Sequence, residues 1–340
     1  MNKLLSLRTS FLVLLILPGI LVSCDSAPIP VLASPAAALP QASATQAVPF
    51  PTPEVLIPSP SVRPEPTQTP KVRPGLASTS PVKTPPGPPA ASATPDGWEN
   101  LPVVPTVSDR ARAIYQAGLG QGNNPHAFSK IGDCESQAIW YLTDFDRGPG
   151  AYSLGPYDYL QPVIDYFPGS FARISMAAKP SFNAASLMSP LWANHPACQP
   201  DESPLACEVR IWRPSLALVM LGTNDSPRPA SFEGNLRLVL DYLVSHGVLP
   251  VLATKADDLE GNGSINATIA RVAAEYDLPL WNYWRATQPL PDHGLQSDDA
   301  HLTVGPNRFG DPTAMQSGWA VRNLTALQAL DAVWQEVTNK

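Results

Sequence analysis

Three short stretches of this 340-residue chain hold the side chains that acyl transfer requires. "FSKIGDCESQ" places Cys134 directly after a Gly-Asp pair, "LGTND" carries Asn224, and "SDDAHLT" places Asp298 three residues before His301. Acyl transfer needs a nucleophile, a base to take its proton, a group to orient the base, and donors for the oxyanion. Cys134 offers a sulfur that can attack. His301 offers a base whose ordinary pKa lies near neutrality. Asp298 can turn back within its loop onto the far ring nitrogen, and the Asn224 amide and the Cys134 backbone N–H can face an oxyanion. A lone Asp-x-x-His is usually a surface loop, and a lone Gly-x-Asn-Asp is usually a turn. Their weight comes from occurring in the order nucleophile, Asp, His, a chain order found on several α/β hydrolytic folds. Ser136, two residues on in the same stretch, offers a hydroxyl as a substitute nucleophile, but a two-residue shift turns it away from His301. The alternative for Cys134 is a small buried apolar residue that does no chemistry.

Such groups must be positioned by regular elements. Strand signals occur at 126–132, 170–178, 215–222, 248–255 and 278–284, and helical patterns at 106–119, 232–246, 264–276 and 314–337. The third helix has a possible cap at Ser264 and apolar positions Ile265, Ile269, Val272 and Ala273. Strands alternating with helices predict an α/β fold with a central parallel sheet and helices on both faces, a three-layer α/β/α sandwich. "SLALVMLG" (215–222) is apolar on both faces, as a central parallel strand must be. Ligands of open sheets sit beyond the carboxyl ends of the strands, and each of the three chemical stretches follows a strand signal.

These motifs resemble the SGNH, or GDSL, hydrolase superfamily, over residues 98–340. The resemblance implies a flavodoxin-like α/β/α fold and ester hydrolysis, including deacetylation of carbohydrates. "IGDC" resembles the first block, with Cys134 where the family has its nucleophilic Ser. "LGTND" resembles the third block and assigns Asn224 as an oxyanion donor. "DDAH" resembles the fifth block and assigns Asp298 and His301. The block that supplies a Gly backbone donor aligns with "KPSFNAAS", placing Ser181 where the Gly stands. The implied catalytic residues are Cys134, Asp298 and His301, and the implied oxyanion donors are Cys134, Ser181 and Asn224. Two positions depart from the family. Sulfur replaces oxygen at 134, and Ser181 is a non-glycine at a backbone position that would cost roughly 1 kcal/mol or more if φ is positive. The expected substrate is a small-molecule or glycan ester, with no cofactor and no metal. The alternative is a catalytically inert module of the same fold that binds a glycan or another cell-envelope ligand.

The remainder of the chain concerns placement. Lys3 and Arg8 precede an apolar run, 11–20, that is too short to span a bilayer and fits a secretory signal. It ends in "LVSC", which resembles a bacterial lipobox, so residues 1–24 read as a lipoprotein signal peptide with Cys24 as the lipidated residue. Acyl chains at Cys24 would hold the protein on the outer face of the cell membrane. Residues 25–97 carry 19 of the chain's 41 prolines, too little apolar surface to fold, and read as a disordered, extended stalk. No other stretch is long and apolar enough to cross a membrane. The net charge of −7 and the lack of a basic cluster argue against nucleic acid, and a monomer is expected. With Cys24 lipidated, three cysteines remain in an oxidising compartment. Cys198 and Cys207 flank the loop "CQPDESPLAC" and are the expected disulfide, which leaves Cys134 as the odd thiol; the other two pairings stay open.

Overall fold

A computed structural model describes residues 97–139 and 141–338. The signal segment, Cys24 and the Pro-rich segment up to residue 96 lie outside the described residues. The elements run, in chain order, α1 (Asp109–Gly120), β1 (Asn124–Gly132), α2 (Gln161–Tyr166), α3 (Ala184–Met188), α4 (Pro204–Trp212), β2 (Pro214–Met220), α5 (Pro229–Ser245), β3 (Leu249–Ala253), α6 (Ser264–Tyr276), β4 (Leu280–Trp281), α7 (Tyr283–Thr287) and α8 (Gly318–Thr338), with several short 3-10 turns between them.

The four strands form one parallel sheet in the order β1-β2-β3-β4. Every residue of β2 and of β3 is buried, as strands covered by helices on both faces must be. On the free edge of β1 a single parallel bridge joins Gly132 to Ala178. Counting that bridge as a rudimentary strand, second in the chain, turns the spatial order into 2-1-3-4-5, the flavodoxin arrangement. One helical layer contains α1, α2, α7 and α8, and the other contains α3, α4, α5 and α6; the helix–helix packing occurs within these sets. The expected three-layer α/β/α fold is therefore present.

Local sequence explains the individual elements. Ser108 caps α1 by accepting from the Ala111 N–H, and Ala111, Ile114, Tyr115 and Gly118 recur at helical spacing to form its buried face. Ser203 caps α4 and Pro204 occupies its first turn, a position where proline loses no hydrogen bond. Gly132 is dictated by close approach, since a Cβ there would lie 2.2 Å from the Met220 carbonyl oxygen.

Three expectations need correction. Residues 170–178 form no strand beyond the Ala178 bridge. Their polar groups are satisfied elsewhere: the Phe171 carbonyl accepts from buried Lys130 Nζ (2.6 Å), the Met176 N–H donates to Glu208 (2.9 Å), and Arg173 bonds Glu208 and the Phe128 carbonyl. The segment is built around side chains instead of a ladder. The last strand stops at Trp281, because Asn282 caps α7 through the Arg285 N–H and anchors to the Trp98 and Leu101 carbonyls. Helix α6 starts from Gly263, in the left-handed conformation, instead of being capped by Ser264. Among the described residues no helix is long and apolar enough to cross a membrane.

Candidate active site

Cys134 begins a 3-10 turn (Cys134–Ser136) directly after β1. The turn is fixed at both ends. Asp133 Oδ1 accepts the Glu135 N–H at 3.0 Å. Arg322 of α8, wholly buried, donates through Nη1 to the Glu135 carbonyl (2.7 Å) and to its carboxylate (2.8 Å). Cys134 itself is buried at 7% exposure.

His301 arrives from the opposite end of the sequence. Its loop is closed by an antiparallel bridge between Leu295 and Leu302 and by the Gln296 N–H donating to the His301 carbonyl at 2.7 Å. Asp299 turns the chain at a φ of 55°. That brings Asp298 back onto His301: Oδ2 lies 2.5 Å from ring Nδ1, and Oδ1 accepts the backbone N–H of His301 at 3.0 Å and of Ala300 at 3.1 Å. Burial pushes the Asp298 carboxyl up, but the hydrogen bonds from His301 and Ala300 outweigh it and the pKa falls below the ordinary value. The other ring nitrogen, Nε2, lies 3.9 Å from Cys134 Sγ. The fold thus aligns the Cys134 sulfur with an imidazole and a carboxylate that lie far from it in the sequence.

The remaining two stretches meet each other at the same end of the sheet as Cys134. Pro180 and Ser181 occupy the centre of a turn closed by the Phe182 N–H donating to the Lys179 carbonyl at 3.2 Å. Ser181 has a φ of 64°. Proline followed by a residue at positive φ is the pattern of a type II turn, whose third position favours glycine. Ser181 therefore stands at a glycine-type backbone position, with a side chain that is exposed. Asn224 lies in the 3-10 turn after β2, and its Nδ2 donates to the Phe182 carbonyl at 3.0 Å. The turn carrying Ser181 and the turn carrying Asn224 are thereby joined. An amide has two N–H donors, so one Asn224 hydrogen is used in this link. Gly222 opens the Asn224 turn at a φ of 126°, where a Cβ would meet Ile265 at 2.6 Å. Asp225 is buried against the Ala184 N–H at the start of α3 (3.2 and 3.3 Å), and burial raises its pKa to about 6 despite that bond.

Cys134 and Asn224 follow β1 and β2. The chain leaves β1 toward one edge of the sheet and resumes with β2 on the other side, so the site occupies the topological switch point where open α/β sheets bind ligands. Ser136 is 1% exposed, and a Cβ on Gly132 would lie 2.2 Å from its hydroxyl. It faces the sheet.

The cysteines require one confirmation and one correction. Cys198 and Cys207 form the expected disulfide, with an S–S distance of 1.99 Å; Cys207 belongs to α4 and is buried instead of lying in a loop. Cys134 was expected as the odd thiol. No described cysteine is free, and Cys134 is disulfide-bonded. Cys198, Glu202 and Cys207 also lie close enough together to resemble a metal-ligand set, but its two sulfurs are joined to each other.

One polar cluster was not found from the sequence. Lys255, two residues past the end of β3, bonds Asp257 Oδ1 (2.6 Å) and Glu260 Oε2 (2.7 Å), all three side chains being buried. "DLEGNG" reads as a polar turn, and nothing local signals that Glu260 folds back into the protein. No protein-family model, no curated protein and no solved structure matches this chain.

Proposed function

We propose that the chain is an SGNH-type ester hydrolase in which Cys134, as the thiolate, attacks an acyl carbon. His301 takes the thiol proton and Asp298 holds the ring and balances its charge. The Cys134 and Ser181 backbone N–H groups and the Asn224 amide receive the oxyanion. Collapse of the tetrahedral intermediate expels the alcohol, protonated by His301, and leaves a thioester. Water activated by His301 then releases the acid. The observation that carries this reading is the His301 ring lying between Cys134 Sγ at 3.9 Å and Asp298 Oδ2 at 2.5 Å. A contact longer than an ordinary hydrogen bond suits sulfur, which is larger than oxygen. An imidazole so placed lowers a thiol's pKa.

Attack requires Cys134 as a free thiolate, so any disulfide at that sulfur must first be reduced. In this reading the substrate is an ester such as an O-acetyl group on a cell-envelope or environmental glycan. Lipid at Cys24 and the Pro-rich stalk would hold the domain outside the membrane.

A second reading is favoured by a cysteine at 134 where the family has serine and by the non-glycine at 181. It makes the chain a catalytically inert module of the same fold that binds an envelope ligand. Full-length protein assayed on an aryl acetate, with and without a phosphine reductant, separates the two. The hydrolase reading expects turnover after reduction, lost in Cys134→Ala and in His301→Ala, and retained in part by Cys134→Ser without reductant. Absence of turnover in the reduced protein and in Cys134→Ser alike leaves the binding module.

A further inference from the structure

The Asn224 turn is gripped on both sides by the buried ion cluster. Thr223 Oγ1, immediately before Asn224, donates to Asp257 Oδ2 at 2.7 Å. Ser226 Oγ, two residues after it, bonds Glu260 Oε2 at 3.2 Å and the Gly222 carbonyl at 3.3 Å. Lys255 Nζ ties the two acids together, adding a bond to the Asp257 carbonyl at 2.9 Å. The lysine is fixed to α6 in turn: its N–H donates to Asn266 Oδ1 (2.8 Å) and its carbonyl accepts from Asn266 Nδ2 (3.0 Å).

A buried ion cluster of this kind is no strong source of stability, because desolvation offsets most of its Coulomb energy. What it supplies is direction. The acids have fixed orientations, and each spends an oxygen on a hydroxyl that brackets Asn224. We propose that Asp257 and Glu260, held by Lys255, are positioning residues that aim the Asn224 amide at the oxyanion through Thr223 and Ser226. The inference rests on the hydrolase reading above. None of these residues touches the reacting atoms; they act through the turn.

A double-mutant cycle on reduced full-length protein tests it, read as kcat and KM on an aryl acetate. Thr223→Val keeps the shape and removes the hydroxyl. The expected result is a kcat lowered about tenfold with KM within twofold, recovered in Thr223→Ser. In an Asn224→Ala background the same Thr223→Val change should alter kcat less than twofold, because the group it positions is gone. Ser226→Ala, with its smaller volume change, should repeat the pattern if Thr223→Val proves poorly folded by thermal melting. An unchanged kcat in folded Thr223→Val and Ser226→Ala overturns the proposal, as does an equal loss with and without Asn224. Failure of wild type to turn over rejects the hydrolase reading and this inference with it, and is told apart by the wild-type rate alone.

Discussion

Asp298 holds His301 through both of its oxygens: one contacts the ring at Nδ1 (2.5 Å) and the other accepts the backbone N–H of the same residue (3.0 Å). The first contact fixes the tautomer that leaves Nε2 facing Cys134, and the second locks the loop that presents the ring. Asp298→Asn keeps the shape but can donate to Nδ1 from its amide, turning the ring to the wrong tautomer. In the reduced protein kcat on an aryl acetate should fall roughly 10³- to 10⁴-fold, by analogy with the same exchange in serine triads. The pH at which Cys134 reacts with a thiol-directed probe should rise, since the imidazolium partner is weakened. A fall under threefold, with an unmoved thiol profile, would reject the assigned role of Asp298.

Ser181 offers a separate test that needs no catalysis. Its φ of 64° is left-handed and costs a residue with a Cβ about 1 kcal/mol or more. Its side chain is exposed, so little packing is lost on removing it. Ser181→Gly relieves the strain but adds freedom to the unfolded chain. The net expectation is a gain of a few tenths to about 1 kcal/mol in urea unfolding. A loss of stability would mean that the hydroxyl contributes more than the backbone strain costs.

The layers and the switch point were legible in the sequence because they follow from periodicity: β2 and β3 are continuous apolar runs, and α1, α5 and α6 repeat at helical spacing. The grouping of Cys134, His301 and Asp298 was legible because these residues follow strand signals in a known chemical order. What was not legible depends on distant partners. The segment 170–178 alternates like a strand, yet Arg173 and Met176 are drawn to Glu208 on a helix more than 30 residues away. Tyr283 and Trp284 continue an apolar run, yet Asn282 ends the strand by bonding the backbone near residue 100. The Lys255 cluster escaped notice because charged residues in a polar turn normally face water. Helix α4 carried its own signal in Ser203-Pro204, hidden by reading "CQPDESPLAC" only as a cysteine loop.

The Asp133 carboxyl, next to Cys134, gives the stability of the fold a distinctive pH dependence. It is 3% exposed, and burial, reinforced by the neighbouring charge of Glu135, raises its pKa to about 7. An unfolded Asp titrates near 3.9. Between about pH 4 and pH 7 the folded state therefore holds the extra proton, and stability falls as pH rises through that window. Above pH 7 both states are ionised, and the loss is complete and constant. Asp133→Asn keeps the oxygen that accepts the Glu135 N–H and removes the charge. The variant should match wild type near pH 4 and exceed it at pH 8, by an amount on the order of a few kcal/mol. Urea unfolding at pH 4, 6 and 8 measures this directly. A difference between variant and wild type that is the same at all three values would show that Asp133 is not protonated in the folded protein.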